Sequence, residues 1–355
     1  KKYANLFAPA YIGKRLVKNR LVMSPMLVGY ASPDGQVTDE LLAYYEARAR
    51  GGVGAIIVEA ACVDNPVGRE SFRQLNIDDL VYVAGLERLA AVIKQYGCRA
   101  YIQLFHGGRQ TSRVFTGVQP VAPSPLPCPI MKEMPRELSR KEIVGLEDKF
   151  VTAASLAELA GFDGVELHAA HGYLINQFLS PDSNRRSDDY GGSLENRMRF
   201  LLNIIGRIKK QAPDLSLSVR LNIDDFVETG LQVEESMAIC KALEQAGVDI
   251  INCSSGTYAS GLKSIEPASY EQGWRVYLAY EVKKHVKIPV IGGGMIRDPG
   301  YDGEYGVIRL FETGELDRIP RGGALLGASL SRRRRVAGSR TEPAAPSPSR
   351  HSSLT

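Results

Sequence analysis

The densest group of reactive side chains in the sequence is a short run at the end of a predicted strand. The run His168-Ala-Ala-His171-Gly-Tyr173 begins at the last residue of the predicted strand 164–168 and holds two of the chain's five histidines. Neutral imidazoles donate hydrogen bonds to a substrate oxygen, and a phenol acts as a general acid. We therefore identify Tyr173, His168 and His171 as candidate catalytic residues. Two alternatives stay open: a core histidine beside a turn-capping one, or a His-x-x-His metal site, for which no third ligand follows nearby.

Two polar residues interrupt predicted strands that are otherwise apolar. Arg220 lies in the segment 216–222, and Gln103 lies in the segment 99–105. Because a charged side chain is costly to bury without a partner, we expect Arg220 to face an anionic ligand or a developing negative charge. An ion pair with a structural carboxylate such as Glu166 is the alternative. The Gln103 amide both donates and accepts hydrogen bonds, which suits the edge of a planar heterocycle.

A run of glycines at the end of the seventh predicted strand forms a candidate phosphate site. Gly292, Gly293 and Gly294 close the apolar segment that begins at Ile288. In a parallel barrel, glycines after strand seven and the helix start behind them leave backbone N–H groups free for a phosphate.

Short β-rich apolar runs alternate with longer segments of helical period. The predicted strands are 20–26, 54–60, 99–105, 164–168, 216–222, 248–253 and 288–293, with an eighth near 316–326. Eight β/α units in a chain of this length predict an α/β fold, a TIM (β/α)8 barrel, whose C-terminal strand ends would bring the residues named above together. A doubly wound sheet is the alternative, but no Gly-x-Gly-x-x-Gly follows the first strand. We expect the long segment 106–138 to lie over the same face.

Composition excludes several classes of protein. The 355 residues are 44% apolar and 24% charged, which excludes a disordered, collagen-like or coiled-coil chain. The net charge of +4 is concentrated after residue 330, where six arginines and one glutamate occur. The rest is close to neutral, so we expect no nucleic-acid partner. Five cysteines without a Cys-x-x-Cys pair are typical of a reducing compartment, and with no membrane-length apolar run or leader visible we expect a cytoplasmic protein with no membrane partner.

Longer motifs extend across most of the chain and are shared with a known family. They are Lys18-Asn19-Arg20-Leu-Val-Met-Ser-Pro25-Met26, Tyr45-Glu-x-Arg48-Ala-x-Gly51-Gly, His168-Ala-Ala-His171-Gly-Tyr173-Leu-Ile-Asn-Gln177-Phe-Leu-Ser-Pro181 and Asn184-Arg-Arg-Ser-Asp-Asp-Tyr190-Gly-Gly-Ser-Leu-Glu-Asn196-Arg197. Over residues 3–299 the sequence resembles the Old Yellow Enzyme family of FMN-dependent NADH:flavin oxidoreductases and ene-reductases.

The resemblance implies a barrel that holds FMN over its mouth. The implied cofactor-binding residues are Ser24, Pro25, Met26, Ala60, Gln103, Arg220, Gly293, Gly294 and Arg321. Gln103 would bond the pyrimidine edge of the flavin, Arg220 would lie near N1 and the C2 carbonyl, and the two glycines would hold the phosphate.

The resemblance also implies the reaction and its small-molecule substrate. NADH or NADPH would supply hydride to FMN, which would pass it to the β-carbon of an α,β-unsaturated carbonyl compound. His168 and His171 would bind the carbonyl oxygen, and Tyr173 would protonate the α-carbon. We leave open whether the chain forms a homo-oligomer.

Two departures from the family pattern are visible. Leu27 stands where many relatives carry a Thr or Cys that touches the flavin. Gly323 stands where relatives carry a phosphate-binding arginine, so we expect Arg321 to substitute, and Pro320 interrupts the predicted eighth strand. A shifted reading frame near 316–330 would explain both C-terminal changes. We expect an FMN-binding barrel over residues 1–330 and a basic, Pro- and Ser-rich disordered tail over 331–355.

An alternative function follows from the same resemblance. The chain would be the truncated flavin domain of an iron–sulfur flavoenzyme of the dienoyl-CoA reductase or bile-acid reductase type, inactive if the altered C-terminus no longer holds the phosphate. A Cys-rich motif and a second nucleotide-binding domain would follow in the intact gene.

Overall fold

Residues 5–267, 269–271, 273–294 and 324–327 are described by the computed structural model of the chain, the last four as backbone alone. Arg321 and the segment 331–355 lie outside the described residues. The strands are β1 (Ala10–Ile12), β2 (Arg15–Val17), β3 (Leu21–Met23), β4 (Ala55–Cys62), β5 (Arg99–Phe105), β6 (Val121–Ala122), β7 (Arg136–Glu137), β8 (Gly164–Ala169), β9 (Ser216–Asp224), β10 (Ile250–Ser255), β11 (Val290–Gly292) and β12 (Ala324–Gly327).

The helices alternate with the barrel strands. They are α1 (Asp39–Arg50), α2 (Val83–Lys94), α3 (Arg113–Thr116), α4 (Arg140–Leu159), α5 (Leu174–Leu179), α6 (Leu194–Gln211), α7 (Val233–Gln245) and α8 (Val276–His285), with short 3₁₀ helices at Leu80–Tyr82 and Tyr258–Lys263. Local sequence signals start several of them. The Ser139 side chain caps α4, and Glu142 completes a capping box. Among the described residues, no helix combines the length and the apolar character needed to cross a membrane.

Eight parallel strands close into a barrel in the order β3-β4-β5-β8-β9-β10-β11-β12. The last strand, β12, pairs with β11 on one side and with β3 on the other, and so closes the ring. The predicted (β/α)8 fold is confirmed. The eighth strand begins at Ala324, within the segment expected near 316–326 and after Pro320, which lies outside the described residues.

The barrel strands are buried on both faces. All eight residues of β4 are buried, because helices cover the outer face and the barrel interior covers the inner one. This double burial explains why the strands appear in the sequence as continuous apolar runs and not as alternating ones.

An N-terminal hairpin closes the end of the barrel opposite to the strand C-termini. Strands β1 and β2 pair antiparallel. Ile12 and Val17 are buried with Val22, Ile57 and Tyr101 from the barrel strands. This hairpin was not predicted, because its two strands have three residues each and carry no clear period.

Two glycines provide a matched test of the packing. Gly145 lies inside α4, where an added Cβ would meet nothing within 4 Å, whereas on Gly164 it would collide with the Tyr101 ring and the Ser216 carbonyl. We expect Gly145→Ala to raise the melting temperature by about 1–3 °C, since alanine stabilises a helix interior by roughly 1 kcal/mol. We expect Gly164→Ala to lower it by several degrees, at an overpacking cost of about 1–3 kcal/mol. Thermal unfolding followed by circular dichroism measures both, and equal shifts would contradict the assigned packing.

Candidate active site

The C-terminal ends of the barrel strands surround a cavity of about 640 Å³. This volume falls within the range of roughly 300–1,000 Å³ typical of cofactor and ligand pockets. Every predicted site residue that the structure describes lines it: Ser24, Pro25, Met26, Ala60, Gln103, His168, His171, Tyr173, Arg220, Gly293 and Gly294. Arg321, the remaining predicted residue, lies outside the described residues.

Two successive layers of side chains inside the barrel support the cavity. In the strand register, Gln103 on β5 pairs with Glu166 on β8, and Glu166 pairs with Ser218 on β9. Side chains alternate between the two faces of a strand, so the residues two positions later form the next layer toward the mouth. Those residues are His168 on β8 and Arg220 on β9, which also pair with each other.

Glu166 is the centre of the lower layer. Its carboxylate is fully buried and accepts hydrogen bonds from Gln103 Nε2 at 2.9 Å, Ser218 Oγ at 2.8 Å and Asn252 Nδ2 at 3.0 Å. Burial raises the pKa of Glu166, while Arg220 and the three donors act in the opposite direction. Because Gln103 donates one N–H to this carboxylate, its amide orientation is fixed, and its oxygen is left for a ligand.

Arg220 lies near this carboxylate, but no ion pair joins the two among the described residues. Its Nη1 donates to the Pro25 carbonyl at 3.2 Å, and its buried Nε has no hydrogen-bond partner in the described part of the chain. Burial lowers the pKa of Arg220 to about 10, opposed by Glu166. The guanidinium therefore remains charged at neutral pH and has donors free for an anion or a carbonyl oxygen.

The two histidines of the cavity are neutral hydrogen-bonding groups. Burial, followed by the charge of Arg220, holds the pKa of both His168 and His171 well below the ordinary value. The Ala170 N–H donates to Nδ1 of His168 at 3.3 Å, which assigns the proton of the neutral ring to Nε2 and makes that atom a donor. His171 Nε2 lies 2.6 Å from Ser254 Oγ. Among the described residues, no group of three or more His, Cys, Asp or Glu could hold a metal ion.

His171 adopts a left-handed backbone conformation with a φ of 61°. This region is unfavourable for residues other than glycine and persists only where neighbours impose it. Two side chains hold the His171 backbone: Asn222 Oδ1 accepts its N–H at 3.1 Å, and Gln110 Nε2 donates to its carbonyl at 2.9 Å. The long segment 106–138 therefore supports the site through Gln110, although none of its residues lines the cavity.

Tyr173 packs among aromatic rings and keeps a polar contact at its hydroxyl. Its ring meets Phe105 and His168 edge to face, with centroids 4.5 and 4.8 Å away. Its hydroxyl lies 3.2 Å from the Tyr258 hydroxyl, and it interacts electrostatically with the Glu70 carboxyl, which lines the same cavity. Burial raises the pKa of Tyr173 well above its ordinary value, so the phenol keeps its proton at neutral pH.

The loop after β3 forms one wall of the cavity, and a second buried carboxylate fastens it. The Val28 N–H donates to Glu59 Oε2 at 3.3 Å, and the Tyr45 hydroxyl donates to the same oxygen at 3.2 Å. Burial raises the pKa of Glu59 to about 7. Val28 directly follows the wall residues Ser24 to Leu27, and Glu59 directly precedes Ala60 on β4.

A second arginine borders the glycine end of the cavity. Arg275 Nε donates to the Gly293 carbonyl at 3.3 Å, and its Nη2 forms an ion pair with Glu266 Oε1 at 3.4 Å. Its buried Nη1 lacks a hydrogen-bond partner within the described ranges. An anion at this end would find a guanidinium donor beside Gly294.

Other lining residues were missed by the sequence reasoning. They are Met23, Tyr44, Glu70, Asn252, Cys253, Tyr258, Ser264, Ile265, Glu266 and Arg275. Asn252 and Cys253 lie near the end of the sixth barrel strand, so the strand-end rule could have found them. Glu70, Tyr258 and Arg275 lie in connections, where no sequence period marks a side chain as facing the cavity.

Comparison with known proteins places the chain among flavoproteins. Residues 5–305 match the model of the NADH:flavin oxidoreductase / NADH oxidase family. A protein called NADH oxidase from Thermoanaerobacter brockii is 51% identical over 301 residues, which cover 84% of this chain and 46% of that protein.

The chain also superposes on solved structures. The 2-naphthoyl-CoA reductase complex superposes with a TM-score of 0.82 at 29% identity, covering 92% of this chain and 50% of that one. The Old Yellow Enzyme homologue from Zymomonas mobilis superposes with a TM-score of 0.74 at 25% identity, covering 90% and 88%. The chain thus spans about half the length of the NADH oxidase and of the 2-naphthoyl-CoA reductase.

The residues of the cavity fit FMN. Free guanidinium donors of Arg220 and the oriented amide of Gln103 suit the polar edge of a flavin, while Arg275 and Gly294 suit a phosphate at the other end. Buried donors without a partner cost about 1–3 kcal/mol each, and a bound anionic cofactor relieves that cost. FMN as the cofactor and NAD(P)H as the hydride donor are what the family uses, as predicted.

The family match covers most of the chain, and the barrel and its cavity agree with it. The predicted resemblance is confirmed. The chain belongs to the NADH:flavin oxidoreductase / NADH oxidase family, to which the Old Yellow Enzymes are structurally related.

Proposed function

We propose that this chain is an FMN-dependent oxidoreductase that takes hydride from NAD(P)H and reduces the C=C bond of α,β-unsaturated carbonyl compounds. The proposal depends on one observation above all. Two neutral imidazoles and a protonated phenol lie together in the cavity that fits FMN, with His168 and Tyr173 in edge-to-face contact at 4.8 Å.

When bound, FMN supplies hydride transfer between the nicotinamide and the substrate carbon. The protein residues supply the remaining requirements of the reaction. Reduction of an enone places negative charge on the carbonyl oxygen, and His168 Nε2–H is a donor for that oxygen. Because both histidines are neutral, they stabilise the oxygen through hydrogen bonds without giving up a proton.

Tyr173 delivers the proton that the α-carbon requires. A phenol is a weak acid, but it is sufficient toward a carbon centre that carries negative charge. Its hydroxyl lies 3.2 Å from the Tyr258 hydroxyl and faces the same cavity as Glu70, which places the acidic proton beside the substrate space. The acidic group and the oxygen-binding groups thus come from one segment, His168 to Tyr173.

A second candidate function is favoured by the lengths of the relatives. The chain covers 46% of the NADH oxidase and 50% of the 2-naphthoyl-CoA reductase. In this reading the barrel is the flavin domain of a longer iron–sulfur flavoenzyme that acts on an unsaturated acyl thioester. A cysteine cluster encoded downstream in the gene would support it.

Arg220 provides a test of cofactor binding. We expect Arg220→Met to weaken FMN binding roughly 10- to 100-fold, since a charge-assisted hydrogen bond contributes about 1.5–3 kcal/mol. Titration of the apoprotein with FMN, followed by quenching of flavin fluorescence, gives the dissociation constant. Arg88→Met, which removes an exposed arginine on α2, is the control. The same affinity in both variants would show that Arg220 does not bind the flavin.

Tyr173 provides a test of the reaction. We expect Tyr173→Phe to slow the reduction of 2-cyclohexen-1-one by a factor of about 10²–10⁴, the usual contribution of a general acid. Reduction of the flavin by NADH should continue at the rate of the unaltered protein. Tyr96→Phe, which removes a half-buried hydroxyl bonded to Glu46 outside the cavity, is the control. Stopped-flow absorbance separates the two half-reactions, and an equal loss in both would rule out the general-acid role.

A further inference from the structure

The cavity contains a carboxyl group that the proposed reaction has not used. Glu70 lines the cavity together with Tyr173 and Tyr258, on the loop between β4 and α2, and its carboxyl interacts with the hydroxyl of Tyr173. Tyr173 and Tyr258 are the titratable groups that interact with it among the described residues. Three ionisable hydroxyl and carboxyl groups therefore meet where the α-carbon proton must be supplied.

The loop that carries Glu70 is held at several points. The Glu70 backbone N–H donates to Gln74 Oε1 at 2.9 Å, and Gln74 Nε2 in turn donates to the Ala60 carbonyl at 3.0 Å. Just before Glu70 in the chain, the Gly68 carbonyl accepts a hydrogen bond from the Gly107 N–H at 2.8 Å. The Arg69 carbonyl accepts one from the Thr111 hydroxyl. These bonds fix the starting point of the Glu70 side chain relative to β4, and so relative to the cavity.

We propose that Glu70 is a proton-relay residue that returns a proton to Tyr173 after each turnover. The inference rests on the proposed function. Tyr173 gives its hydroxyl proton to the substrate α-carbon, and the resulting phenolate oxygen takes the carboxyl proton of Glu70. The Glu70 carboxylate then takes a proton from water at the mouth. The cycle consumes one proton from solvent for each hydride delivered to the β-carbon, so charge and atoms balance.

The acid strengths of the two neighbours of Tyr173 favour Glu70 over Tyr258 as the source of the returned proton. Burial raises the pKa of Glu70 to about 7, so near neutral pH the carboxyl both holds a proton and regains it from water. Burial raises the pKa of Tyr258 to about 12, so this phenol supplies protons poorly in the same range. Tyr258 keeps the Tyr173 hydroxyl in place through their 3.2 Å contact.

The relay predicts a specific pH dependence. The donating form of Glu70 is the protonated one, so it is present below pH 7 and falls about tenfold per pH unit above it. We expect steady-state reduction of 2-cyclohexen-1-one to decline above pH 7. Glu70→Gln should lower that rate at least about tenfold at pH 6 and abolish the decline, because an amide has no transferable proton.

Further measurements separate the relay from a structural role. Flavin reduction by NADH, FMN affinity and the first single turnover, for which Tyr173 already holds its proton, should stay within about twofold in Glu70→Gln. Glu70→Asp should restore part of the steady-state rate, and Tyr258→Phe should keep the decline above pH 7. Glu46→Gln, which removes the carboxylate from a glutamate–tyrosine pair on the surface, is the matched control.

Two outcomes would overturn the relay in distinguishable ways. If the unaltered protein reduces enones in a Tyr173-dependent manner while Glu70→Gln keeps its rate and pH profile, the relay is wrong and the proposed function stands. If the unaltered protein reduces no enone, the proposed function is wrong and the relay falls with it.

Discussion

The arrangement of the site depends on the buried carboxylate of Glu166. It accepts hydrogen bonds from Gln103, Ser218 and Asn252, and so links β5, β8, β9 and β10 inside the barrel. An unpaired buried carboxylate would be costly, and the three donors with the nearby Arg220 offset that cost. Because neutral donors occupy the oxygens of Glu166, the guanidinium of Arg220 keeps N–H donors free in the layer above.

The charge of Arg220 sets the chemistry of the groups beside it. Burial and this positive charge hold both histidines neutral, whereas burial keeps the Tyr173 phenol protonated. The cavity therefore presents uncharged donors toward a substrate oxygen, and positive charge only where guanidinium groups lie. This division suits the proposed reaction, in which an anionic cofactor would lie beside a carbonyl substrate.

The sequence predicted the parts of this arrangement that follow from strand geometry. Arg220 and Gln103 were found because a polar group in a buried, otherwise apolar strand needs a partner or a ligand, and His168 because it lies with His171 and Tyr173 at a strand end. Glu70 was missed because its position depends on contacts made by Gly68 and Arg69 with a distant loop. The eighth strand was expected near 316–326, and β12 overlaps the C-terminal end of that segment.

The proposed function requires that this barrel bind FMN and pass hydride from NAD(P)H to an unsaturated carbonyl compound. The most direct measurement is the visible spectrum of the purified protein with FMN under anaerobic conditions, first with one equivalent of NADH and then with 2-cyclohexen-1-one. We predict that the flavin bands bleach with NADH and return when the enone is added, with cyclohexanone as the product. A protein that binds no FMN, or a bleached flavin that the enone does not restore, would contradict the proposed function.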